Sequence, residues 1–163
     1  MMKKITLLLI LTVITVTSFS QRSFQLSQYM LHQPFINPAS MASYQGLNGA
    51  IVHRSQWVGF DGAPVTQGIS VNSPIKDGNN SVGLTIVHDQ IGVNRDISIS
   101  GKYAYKFQVA TNQYFSLGLD ASLRMLQSNL ADATVNDPGD EVFSSNTPTF
   151  MAPNFSFGMY YFK

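Results

Sequence analysis

The stretch Asp96-Ile97-Ser98-Ile99-Ser100-Gly101-Lys102-Tyr103-Ala104-Tyr105-Lys106-Phe107-Gln108-Val109 decides the fold. Ile97, Ile99, Tyr103, Tyr105, Phe107 and Val109 share one parity, and Ser98, Ser100, Lys102, Lys106 and Gln108 share the other. A period of two puts these sets on opposite faces of a β-strand, whereas a helix would mix them around its surface. The stretch outruns the roughly 5–6 residues of an ordinary soluble strand and suffices for the about 9–11 tilted residues that cross a membrane.

The same alternation returns on both sides. In residues 114–126, Phe115, Leu117, Leu119, Ala121, Leu123 and Met125 oppose Ser116, Asp120, Ser122 and Arg124. In residues 150–162, Met151, Phe155, Phe157, Met159 and Tyr161 oppose Asn154, Ser156, Gly158 and Tyr160. Upstream, Val82, Leu84 and Ile86 oppose Ser81, Gly83 and Thr85, and Val65, Ile69 and Val71 oppose Thr66, Gly68, Ser70 and Asn72. Residues 47–57 are the weakest segment: Leu47, Ile51 and Trp57 oppose Asn48, Arg54 and Gln56, but Val52 sits on the polar side. Turn residues separate the segments at 74–79, 89–94 and 110–112. Six strands joined in order predict an all-β, antiparallel, up-and-down meander.

A length of 163 residues suits one domain. Charged residues make up only 12%, against about 25% in typical soluble domains. Aromatic residues also reach 12%, yet the mean hydropathy is +0.03, far from that of a helical membrane protein. Low charge and near-neutral hydropathy fit strands with one apolar and one polar face. A formal charge of +1, with no basic cluster after the N-terminus, leaves no nucleic-acid footprint. The absence of cysteine excludes disulfides and thiolate chemistry.

Residues 1–20 have the form of a cleavable signal peptide. Lys3 and Lys4 precede an apolar run from Ile5 to Val16, and Ser18 and Ser20 offer small residues before cleavage at Gln21. The run is shorter than the roughly 20 residues a spanning helix needs. Cleavage would take the basic count from 10 to 8 against 9 acids, a formal charge of −1. Residues 21–45, with Pro34 and Pro38, read as an extended lead-in, and residues 46–163 as a partial outer-membrane β-barrel.

Either a soluble sandwich or a membrane barrel explains the alternation. The strand lengths, a small hydroxylic polar face, and aromatics gathered near strand ends favour the barrel. Lys102, Lys106, Asp120 and Arg124 then line the lumen, solvated or paired across it, where the cost of a charge on the lipid face is avoided. A periplasmic N-terminus would place the loops at 58–64, 89–94 and 127–149 outside.

The residues offer little chemistry. His32, His53 and His88 lack metal-ligand spacing, and no phosphate loop or nucleophile elbow occurs. Asp132, Asp137, Asp140 and Glu141 lack the ordered spacing of an EF-hand. The expectation is no enzyme and no cofactor.

Several motifs go further. Gln28-Tyr29-Met30 and Ile36-Asn37-Pro38-Ala39 precede Arg54-Ser55-Gln56-Trp57-Val58-Gly59-Phe60-Asp61-Gly62-Ala63-Pro64. His88-Asp89-Gln90-Ile91-Gly92, Tyr103-Ala104-Tyr105-Lys106-Phe107 and Pro153-Asn154-Phe155-Ser156-Phe157-Gly158 follow. In this order they resemble the PorP/SprF family, membrane proteins of the type IX secretion system of Bacteroidetes. The resemblance implies an outer-membrane barrel acting with secretion or gliding components. It also implies partners: membrane lipid, a large adhesin-like protein with a type B C-terminal signal, and periplasmic motor or peptidoglycan-binding proteins. Asn37, Pro38, Arg54, Ser55, Gln56, Trp57, Gly59, Phe60, Asp61, Gly62 and Pro64 carry the family motif. For residues 54–64, a partner-docking rim loop and a plain turn with Trp57 and Phe60 as interfacial anchors both remain open. Family members are usually about twice as long, and the smallest common barrels have about eight strands. The expectation is therefore a fragment, or closure by assembly. A small porin-like channel and a secreted β-sandwich binding module are the alternatives.

Overall fold

The computed structural model describes residues 29–75, 78–130 and 147–163. The signal peptide and the acidic residues 132–141 lie outside them. Six strands form one sheet: β1 (Asn48–Ser55), β2 (Val65–Ile75), β3 (Asn80–Ile91), β4 (Asn94–Ala110), β5 (Gln113–Ser128) and β6 (Phe150–Phe162). Their order is β1-β2-β3-β4-β5-β6, each antiparallel to the next, so the sheet is the meander the alternation predicts. It is open among the described residues, with β1 and β6 at its edges. Tight turns join the long strands, at Gly92 with φ +57° and at Asn112 with φ +57°. Both residue types tolerate the left-handed conformation these turns impose.

Burial is inverted relative to a soluble protein. Thr66, Ser70, Asn72, Ser81, Thr85, Ser100, Lys102 and Ser116 are buried, while Ile69, Leu84, Ile86, Ile99, Leu119, Phe155 and Phe157 are exposed. The pairing register explains how whole rows turn outward together. Ile51, Ile69, Ile86, Ile99 and Leu123 lie side by side across β1 to β5. The next row toward the rim begins His53, Gln67, His88 and only then becomes apolar at Ile97 and Met125. From Ile97 to Phe107 the outward face of β4 runs roughly 33 Å along the strand. Tilted about 40°, that length matches the roughly 25 Å apolar band of membrane barrels. No second sheet covers this face among the described residues, and no helix there is long and apolar enough to cross a membrane.

The lead-in differs from the expected extended chain. Residues 29–43 fold into three 3-10 turns, Tyr29–Leu31, Gln33–Phe35 and Pro38–Ser43, packed on the polar face of the sheet. The prolines that forbid a long helix are compatible with short turns, each standing in a first turn where no N–H is needed. Asn37 caps the longest turn: its Oδ1 accepts from the Ala39 N–H at 3.0 Å. Ser40 Oγ donates to the Asn37 carbonyl at 2.7 Å, and Ser43 Oγ to the Ser40 carbonyl at 2.8 Å.

Candidate functional site

Two features hold the residues singled out by sequence: the covered polar face and the rim loop between β1 and β2.

On the polar face, Lys102 and Asp120 are direct neighbours on β4 and β5, and their side chains pair at 2.9 Å with only 4% and 11% exposure. The pairing is between adjacent strands and not across a lumen. The Lys102 ammonium also donates to the Pro34 carbonyl at 2.8 Å and approaches that of Phe35 at 3.5 Å. A buried charge pair is tolerable when its remaining hydrogen-bonding capacity is met, and here the 3-10 segment meets it. Ser116 Oγ donates to the Ala39 carbonyl at 2.8 Å, and Asn37 Nδ2 to the Met159 carbonyl at 2.9 Å. Nearer the rim, Arg124 Nε donates to Asp96 at 2.7 Å, with its Nη2 also on that carboxylate. Lys106 lies 5.6 Å above the ring of Tyr114, within cation–π range.

Glycines shape this face. A Cβ on Gly118 would collide with the backbone of Ala39, one on Gly158 with the amide of Asn37, and one on Gly83 with Met41. On Gly68 it would lie 3.0 Å from the ring of Phe35. Apolar side chains break the polar pattern where the segment needs them. Phe35 packs with Ala50, Val52 and Val87, and Met41 and Ala42 pack with Ala104. The misplaced Val52 was therefore a signal of a covering partner, as were the glycines at 68, 83, 118 and 158.

The motif residues divide between the two features. Asn37 and Pro38 belong to the covering segment, over β5 and β6. Arg54 and Ser55 end β1, paired with Thr66 and Val65, and residues 56–64 form the rim loop. Gln56 N–H donates to the Pro64 carbonyl at 3.0 Å, Phe60 N–H to Trp57 at 3.1 Å, and Gly92 N–H to Gly62 at 2.9 Å. The last bond ties the loop to the β3–β4 turn. Trp57, Val58 and Phe60 are exposed, whereas Pro64 is buried. Trp57 has φ +51°, an uncommon conformation for a bulky residue, while Gly59 and Gly62 take positive φ without such cost. Arg54 and Gln56 are half-buried on the polar side, and Ser55 and Asp61 are exposed. His53 joins Ser55 and Gln67 by contacts of 3.1 and 3.3 Å on the outward face. Among the described residues no group of acids and histidines is placed to hold a metal ion.

An outward apolar face over a buried polar one defines a strand-built membrane protein. The family model described as type IX secretion system membrane protein PorP/SprF matches residues 18–163. The chain belongs to this family, and so to the membrane proteins of type IX secretion. No curated protein and no solved structure matches it.

Proposed function

We propose that the chain works in the outer membrane, reached through the signal peptide, and helps large adhesin-like proteins to be secreted or attached at the surface. The inverted burial carries this reading: an exposed apolar face of membrane height needs lipid around it. Family membership supplies the secretion system. The partners are outer-membrane lipid, a secreted protein with a type B C-terminal signal, and other secretion or gliding components. The chain acts by binding and positioning, without catalysis or a cofactor. Membrane fractionation and affinity purification test this. The chain should sediment with outer membranes and bring down a large surface protein; recovery as a soluble periplasmic monomer would sink the proposal.

The rim loop is the contact surface we assign to the partner, because Trp57, Val58 and Phe60 are all exposed beside one another. Trp57→Gly removes the indole while suiting the positive φ. Lost partner capture with normal membrane insertion supports docking, whereas impaired insertion makes Trp57 an interfacial anchor.

A further inference from the structure

We infer that residues 29–43 are a resident plug, a brace seated across the polar face that stays seated while the protein works and does not swing clear as a gate. The segment reaches every strand. Phe35 meets Ala50 and Val52 of β1, Gly68 of β2 and Val87 of β3. Met41 and Ala42 meet Ala104 of β4, Ala39 lies on Gly118 of β5, and Asn37 lies on Gly158 of β6. Departure would break contacts with all six strands together, which opposes a hinged lid held along one side.

The strands are cut to receive it. Glycine weakens a strand interior, so its use signals close approach of another backbone. At Gly118 and Gly158 the approaching atoms are those of Asn37, Pro38 and Ala39. Polar anchors are distributed likewise: Lys102 of β4, Ser116 of β5 and the Met159 carbonyl of β6 each hold a different part of the segment. Ser40, Met41 and Ala42 are fully buried beneath and within it. Where the segment lies, it occupies the polar face and keeps water from Lys102 and Ser116.

The chain has no cysteine, so introduced thiols report singly. Ser116 is fully buried under Ala39, whereas Ser156 is exposed on the same face of the sheet. In the detergent-solubilised full chain, Ser116→Cys should react with a water-soluble maleimide on the order of 100-fold more slowly than Ser156→Cys, because reaction needs local opening. Equal rates would overturn the plug. For the working state, Asn37→Cys paired with Gly158→Cys removes the amide that a Cβ at 158 would strike and leaves two thiols facing. Oxidised cells should secrete the surface protein as well as reduced cells do. A block relieved by reductant would establish a gate and overturn residency. This second arm rests on the proposed secretion role. If cells lacking the chain secrete normally, that role falls, and the labelling rates still decide the plug.

Discussion

Lys102 illustrates how one residue serves both parts of the molecule. Its ammonium pairs with Asp120 and satisfies the Pro34 carbonyl, so it joins β4, β5 and the plug. Lys102→Met would leave a buried carboxylate unpaired and should cost about 3–5 kcal/mol. The measurement is the urea midpoint in detergent; Lys102→Met combined with Asp120→Leu should regain most of the loss. His32 adds a pH dependence. Burial, and then the nearby Lys102 charge, lower its pKa below the ordinary value of 6.5. Above that value the imidazole is neutral whether seated or released, and nothing is lost. As pH falls through 6.5 toward the lowered value, the released form gains a proton that the seated form resists, so seating weakens. The urea midpoint should therefore drop between pH 7.5 and 5.5 more in the native chain than in His32→Asn; equal drops would exclude His32 as the cause.

At the scale of the strand, parity governs what a charge costs. Leu84 stands on the exposed outward face beside Val71 and Gly101. Leu84→Arg should cost about 2–4 kcal/mol in a bilayer, read as reduced insertion and a lower unfolding midpoint in vesicles. Ser156→Arg, on the polar face opposite Asp120, should insert normally. Equal behaviour of the two would contradict the assignment of faces. The 3-10 segment has its own element-scale test. Gly118→Val places a side chain where the Ala39 backbone lies. It should speed maleimide labelling of Ser116→Cys while the strand signal in circular dichroism persists, since the strands are paired by their own ladders.

For the molecule as a whole, the sheet and the segment meet through polar anchors and two small apolar clusters, with no single large apolar interior among the described residues. The buried side is hydroxyls, small residues, the Lys102–Asp120 ion pair and two small apolar clusters around Phe35 and Met41; the apolar side of the strands is left exposed. Much of this was legible. All six strands follow from alternation, and the polar-face parity of Lys102, Asp120 and Arg124 follows with them. The plug was not legible as a plug. Pro34 and Pro38 exclude a helix, but nothing local says where an irregular segment lies. Its traces stood in distant strands, as Val52, Val87 and Ala104 on the polar parity and as glycines at 68, 83, 118 and 158. Each trace alone looks like noise in a strand pattern.

The sequence alone determined the strands, their order of pairing and which side chains share a face, because a period of two is a local property of the chain. It also carried the family, through motifs spread along its length. Only the tertiary structure decided which buried polar groups find partners. It paired Lys102 with its neighbour Asp120 and laid Asn37-Pro38-Ala39 over Gly118 and Gly158. Those contacts join residues far apart in sequence, and no local rule of conformation or patterning reaches that distance.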